Sequence, residues 1–182
     1  MGNSIKYIGR HKISSSNYYF LDTNIWIFLF HPLGSYKSFQ TKQYTKLLKD
    51  LLANQCKIII SSIILSEFFN TILRYEFNIL KDKYPSTYKN FKKDFKGTKK
   101  YNSIINSLVN IIKSQILSIA IPISDNFDKI NIDDIFKSLV KMDFNDNYIV
   151  ELCSKKNIVL VTDDSDFNYS AKIIKIITAN RK

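Results

Sequence analysis

The chain has 182 residues, a formal net charge of +11, 45% hydrophobic and 14% aromatic residues, and only Gly 4 and Pro 3. That composition excludes a disordered chain and a turn-rich β protein, and the length fits one domain with a real core. The positive excess favours a polyanionic partner through attraction to phosphates, although a basic surface by itself also serves solubility.

Cys56 and Cys153 have neither metal-type nor C-x-x-C spacing and sit among apolar neighbours, as reduced core residues of an intracellular protein do. No apolar run approaches the length of a membrane span, and the opening MGNSIKYIGRHK lacks the apolar core of a secretory signal, so a cytoplasmic protein without a membrane partner is expected. Met1-Gly2 resembles the start of a myristoylation site, but Lys6 stands where Ser or Thr is required. Residues 1–16 are polar and basic and read as an extension or a loosely attached strand.

Tyr18 to Leu21, YYFL, predicts a short buried strand that stops on Asp22, Thr23 and Asn24 before a helical apolar run, Ile25 to Phe30. A carboxylate where a core strand ends lies at the edge where open α/β sheets bind ligands, though a lone Asp or Thr there serves equally as a helix cap. His31-Pro32-Leu33-Gly34 is a breaker. Gln40 to Asn54 carries Tyr44, Leu47, Leu48, Leu51 and Leu52 at the spacing of an amphipathic helix. Lys57 to Ser61 predicts a second strand, apolar on both faces as buried parallel strands are.

Ser61 and Ser62 can cap a helix from Ile63 to about Leu80, with Leu65, Phe68, Phe69, Ile72 and Leu73 on its buried side. Glu67, Asn70 and Arg74 form a polar stripe on the other side. Glu67 thus lies in the second turn after a strand end, either as a second acid at the same edge or as an ordinary solvated glutamate.

From Asp82 to Tyr101 lysines alternate with aromatics, among them Lys92, Lys93, Lys96 and Lys99 with Tyr84, Tyr88, Phe91 and Phe95. Two readings stay open. The lysines can meet phosphates while the rings stack on unpaired bases, or the rings can pack on the domain and leave the lysines solvated. Asn102 to Ser118 predicts a helix with Ile104, Ile105, Leu108, Ile111 and Ile112 inward, Leu117 to Ile123 a third strand, and Ile132 to Val140 a short helix.

In DFNDNYIVELCSKKNIVLVTDDSDF, Asp143 can cap a helix that carries Asp146 in its first turn, and Ile158 to Thr162 predicts a fourth strand. A helix joined to a following strand by a short loop runs antiparallel to it, so Asp146 falls near the strand's carboxyl end, where Asp163, Asp164 and Asp166 follow. Lys172 to Thr178 is expected as a final strand, placed at the sheet edge by its lysines. Carboxylates gathered at one edge repel one another unless a cation compensates, and an all-oxygen donor set suits Mg²⁺ or Mn²⁺ rather than Zn²⁺.

LDTN after a strand, S-E on a helix, DNYIVELC on a later helix and LVTDDSDF, in that order, resemble the PIN domain, most closely its toxin ribonucleases of the VapC type. The resemblance spans roughly residues 18–78 and 143–178. It implies an α/β three-layer sandwich: a central, mostly parallel sheet of four to five strands flanked by helices. One PIN-like domain would occupy 1–182, with the basic extension 1–16 and a lysine/aromatic helical insertion at about 81–118.

The activity that the resemblance implies is that of a metal-dependent endoribonuclease, in which water attacks an RNA phosphodiester and leaves a 5′ phosphate and a 3′ hydroxyl. The acids implied as catalytic and metal-binding are Asp22, Glu67, Asp146 and Asp164, with Asp166 as an accessory ligand of Mg²⁺ or Mn²⁺. Asn24 is implied as a polar neighbour of the metal and substrate, and Arg74, Lys92, Lys93, Lys96 and Lys99 are read as substrate-binding. RNA, a cognate antitoxin protein of a type II toxin–antitoxin pair and a second copy in a homodimer are the partners this reading admits. The alternatives are a non-catalytic nucleic-acid-binding domain and a phosphohydrolase of the haloacid dehalogenase kind, which needs D-x-D where this chain has Asn24.

Overall fold

Strand β2, Tyr18–Leu21, lies inside a six-stranded sheet. In the computed structural model, residues 4–31, 38–156, 158–170 and 172–180 are described. The sheet order is β1-β6-β5-β2-β3-β4, with β1 at Ser4–Tyr7, β3 at Lys57–Ile60, β4 at Ala120–Pro122, β5 at Ile158–Val161 and β6 at Lys175–Thr178. Every pairing is parallel. Parallel strands covered on both faces read as continuous apolar runs, and Tyr19, Phe20 and Leu21 of β2 and the whole of β5 are buried.

The parallel α/β architecture expected from the sequence is present, with six strands rather than four to five. The additional strand is β1, inside the basic extension, paired with β6 from Ser4↔Lys175 to Tyr7↔Thr178. The expectation that the last strand forms the sheet edge is corrected by that pairing. Lys172 precedes β6 and Lys175 stands at its exposed start, while Ile176 and Ile177 are buried. The lysines mark the approach to the strand, not an open edge.

Helices α1 (Thr23–Phe30), α2 (Ser38–Ala53), α3 (Ser62–Lys83) and α4 (Lys99–Ile111) connect β2 to β3 and β3 to β4. Helices α5 (Ile132–Ser138) and α6 (Phe144–Lys156) lead back to β5. Parallel crossovers are right-handed, and the chain reverses its direction across the sheet on returning from β4 to β5. The first four helices and the last two therefore cover opposite faces, which makes three layers. The reversal also makes the boundary between β2 and β5 a switch point, where the carboxyl ends of the strands border a crevice.

On α2, Tyr44, Leu47 and Leu51 are buried, whereas Leu52 is exposed despite its place in the apolar pattern. The inward side of α3 consists of Ile64, Phe68, Ile72, Leu73 and Phe77, with Leu65 and Phe69 only partly covered. The expected helix over Asn102 to Ser118 is α4 running into a π-helical turn, Ile112–Ile116. Cys56 and Cys153 are free and buried. No helix among the described residues is long and apolar enough to cross a membrane. Of the breaker at His31 to Gly34, Pro32 onward lies outside the described residues, as do Met1-Gly2 and Asn157.

In the lysine-aromatic segment the rings are divided between the two readings. Phe91–Phe95 forms a π-helical turn whose backbone is capped by Asn90, and Asp94 accepts in return from the backbone N–H groups of Lys89 and Asn90. Phe95 is fully buried and meets Phe77, Phe91, Tyr88 and Tyr101 at ring separations between 5.4 and 6.5 Å. Phe95 belongs to the main core, with Tyr88, Phe91 and Tyr101 packed partly buried against it, so the Phe95 ring is not available for base stacking, whereas Tyr84 is exposed. Lys92, Lys93, Lys96 and Lys99 are exposed around Phe95.

Candidate active site

Asp22 follows β2 directly and caps α1, its Oδ1 accepting the Thr23 N–H at 2.7 Å. Its Oδ2 accepts from the Asn24 side-chain amide and from the Thr162 hydroxyl, each at 2.7 Å. Capping and acid-cluster membership therefore coexist in one residue. Asn24 also accepts the Asp163 N–H at 3.2 Å through its Oδ1, so this side chain holds Asp22 against the end of β5. Thr162, fully buried, accepts the Asp164 N–H at 3.0 Å and thereby links Asp22 to the loop carrying Asp164.

Glu67, half-buried in the second turn of α3, is held at both oxygens. Thr23 donates its hydroxyl to Oε2 at 2.8 Å, and Asn145 donates its side-chain Nδ2 to Oε1 at 2.5 Å. Asp146 follows Asn145 in the first turn of α6, its backbone N–H donating to Asp143 Oδ1 at 2.9 Å. Asp143 is thus a cap, as its position in the sequence implies.

Burial and charge act on these acids together. Burial, above all, raises the Asp22 carboxyl to about 6 against the hydrogen bonds from Thr162 and Thr23, with Glu67 and Asp164 adding repulsion. Burial likewise raises Asp146 to about 8, followed by the charges of Asp143, Asp22, Asp164 and Glu67. Asp22, Glu67, Asp146 and Asp164 are therefore brought together at the β2/β5 switch point. Asp166 is exposed and donates its backbone N–H to Asp164 Oδ1. Beneath the cluster, burial and the Asp22 charge push the Cys153 thiol up, so it stays an inert core group.

The donor chemistry fits a hard divalent cation, being carboxylate and hydroxyl oxygen. Among the described residues no three His, Cys, Asp or Glu side chains close on a single point.

Tyr44 reaches the same edge from α2. Its hydroxyl accepts the Ala179 N–H at 2.9 Å and lies within donating distance of Thr162 O, at 3.1 Å, and Asp163 Oδ1, at 2.9 Å. Periodicity marks Tyr44 only as an apolar helix position; nothing in the pattern points to its hydroxyl. Thr162 stands inside the LVTDDSDF motif without a role apparent from spacing, and Asn145 is legible only as the neighbour of Asp146.

Arg74 lies further along α3 than Glu67. The Arg74 guanidinium sits 5.6 Å from the Phe91 ring centroid, and Phe91 packs on Phe77 at 5.4 Å. Along α3 those contacts are about 10–15 Å from Glu67 at about 1.5 Å per residue. Arg74 is therefore about two turns along α3 from Glu67.

No match to the chain is found among curated proteins. Among solved structures, the chain is similar to the crystal structure of VapBC2 from Rickettsia felis bound to a DNA fragment from their promoter, with 22% identity over 88% of this chain and 98% of that chain and a TM-score of 0.52. At that identity the likeness is one of fold. The profile of the PIN domain matches residues 19–173, from the strand that delivers Asp22 to the approach to β6. With its sequence matched over that span and its acids collected at the switch point, the chain belongs to the PIN domain family.

Proposed function

We propose that the protein is a metal-dependent endoribonuclease and the toxin of a type II toxin–antitoxin pair. The observation that carries the reading is the set of acids at one crevice, where burial first and then repulsion from neighbouring acids raise Asp22 to about 6 and Asp146 to about 8. Such repulsion is relieved by compensating positive charge, and family membership makes a divalent ion, Mg²⁺ or Mn²⁺, its natural source. When bound, that ion polarises phosphodiester oxygens and makes water a better nucleophile.

Asp22 and Asp146 are the ligands we assign first, with Asp164 and Glu67 completing the negative field and Asp166 in an accessory place. Asn24, Thr162 and Thr23 hold Asp22 in one orientation, so the carboxylate is set before substrate arrives. Asp146 would release its proton on taking up the ion. Arg74, Lys92, Lys93, Lys96 and Lys99 bind the phosphates of an RNA strand leading away from the crevice along α3. The products are a 5′ phosphate and a 3′ hydroxyl.

Two features bear on the alternatives. Asn24 is neutral and committed to Asp22 and to the Asp163 N–H, which disfavours a dehalogenase-type acid–base pair. The similar fold is that of VapBC2 bound to promoter DNA, which supports a cognate antitoxin as partner of this chain. An Arg or Lys side chain entering the carboxylate crevice is the simplest inhibitory contact. The decisive experiment is cleavage of single-stranded RNA by the wild type and Asp22→Asn, with Mg²⁺, with Mn²⁺ and in EDTA. Loss of cleavage in EDTA and a drop of orders of magnitude in the variant are expected; undiminished cleavage in either case overturns the reading.

A further inference from the structure

Asn145 contributes to the acid cluster in a way the motif does not signal. A carboxylate offers only acceptors, so the contact with Glu67 Oε1 fixes the sense of the amide, with Nδ2 facing Glu67. The platform beneath Asn145 is itself tied down. Asp143 accepts the Asp146 N–H, and the Asn147 amide, buried, donates to Met142 O at 2.9 Å and to Asp143 O at 2.8 Å. The first turn of α6 therefore has little freedom, and a side chain bonded to it inherits that rigidity.

Glutamate has several accessible rotamers at a half-buried helix position, and each moves the carboxylate relative to its neighbours. Here the Thr23 hydroxyl from α1 and the Asn145 amide from α6 engage different oxygens, which leaves one orientation. We propose that Asn145 is a positioning residue, whose amide sets Glu67 against the first turn of α6 so that the acid cluster is arranged before a divalent cation enters. The inference rests on the metal-dependent reading above. A plain tie between α3 and α6 would act on folding alone and leave affinity for the ion untouched.

The test is calorimetric titration of the full chain with MnCl₂ alone, together with melting in EDTA, for the wild type, Asn145→Ala, Asn145→Ser and Asn145→Gln. Partners that orient metal ligands typically contribute about 10- to 100-fold in metal affinity. Asn145→Ala should weaken Mn²⁺ binding by about that factor while the melting temperature in EDTA falls by no more than the few degrees that the loss of one hydrogen bond costs. Asn145→Ser, too short to reach Glu67, should behave in the same way, and it carries the test if the alanine variant does not fold. Asn145→Gln keeps the donor and should recover most of the affinity. Wild-type affinity in Asn145→Ala or Asn145→Ser, or a glutamine variant as weak as they are, overturns the assignment. A wild type that takes up no Mn²⁺ overturns the metal-dependent reading itself, an outcome distinct from a normal wild-type isotherm matched by the variants.

Discussion

Thr23 donates its side-chain hydroxyl to Glu67 at 2.8 Å, across 44 positions of sequence, while its backbone N–H donates to Asp22. One residue therefore fixes two acids that arrive on different elements. Their separation is a property of the first turn of α1, not of the sheet alone.

Thr23→Val separates the two tasks, because the backbone donor to Asp22 survives and the hydroxyl donor to Glu67 does not. We expect RNA cleavage to fall by about tenfold or more, with a stability loss of about 1 kcal/mol, the usual worth of one hydrogen bond. Cleavage rates and a urea melt measure both. Wild-type cleavage would show that Glu67 needs no support from α1.

The raised carboxyls give the metal-free protein a defined pH dependence. Asp22 and Asp146 bind protons more tightly when folded than when unfolded, so the native state holds more protons between about pH 4 and 8 and stability falls as pH rises through that window. Below it the penalty is absent. In EDTA the melting temperature should therefore decline from about pH 5 to about pH 8, and Asp146→Asn should flatten the decline and raise the melting temperature at the upper end. Mn²⁺ should raise the wild type more than the variant, and the two effects should combine to less than their sum, since both relieve one repulsion. A variant that melts no higher than the wild type at the alkaline end in EDTA would remove Asp146 from the cluster.

The buried Phe95 ring and the lysines around it should separate by mutation. Phe95→Ala empties a fully buried ring site and should destabilise the protein by about 3–5 kcal/mol. Replacing Lys92, Lys93, Lys96 and Lys99 with Gln should leave melting unchanged, weaken RNA binding, and reduce the log–log salt slope by about one unit for each phosphate no longer neutralised. An unchanged slope would assign the lysines to solubility.

Tyr44→Phe keeps the ring and deletes the hydroxyl that joins the ends of β5 and β6. The Ala179 N–H is then left without that acceptor in a buried position, a loss of about 1–3 kcal/mol. Thermal melting reads this directly, and a variant as stable as the wild type would show that water replaces the hydroxyl.

What the sequence reveals follows from which forces act locally. The strands over Tyr18 to Leu21, Lys57 to Ile60 and Ile158 to Val161 are legible because a buried parallel strand must be apolar on both faces. Asp22 and Glu67 stand out because each sits within two turns of a strand or helix boundary that the pattern already marks, whereas the choice of Asp146 over Asp143 and of Asp164 over Asp166 comes from the resemblance to the PIN family. The strand at Ser4–Tyr7 does not, since SIKY has no apolar run and acquires its place only by pairing with residues far along the chain. Asn145 and Tyr44 escape notice for a related reason. Their polar atoms act on partners 78 and 119 positions away, and no local periodicity encodes such a contact. The burial of Phe95 is equally hidden, because alternation of lysine with aromatic residues fits a stacked strand of bases and packing on the core alike.

The position of β5 between β2 and β6 has a consequence for the order of events during synthesis. A chain emerging from the ribosome presents Asp22 and Glu67 long before Asp146 and Asp164, and β2 lacks one of its two neighbours until residues 158–161 have been made. The crevice is therefore incomplete for most of translation, and a stalled chain ending before residue 158 should cleave no RNA even where its N-terminal half is collapsed. If the protein is a toxin, it is made harmless and becomes dangerous only on completion.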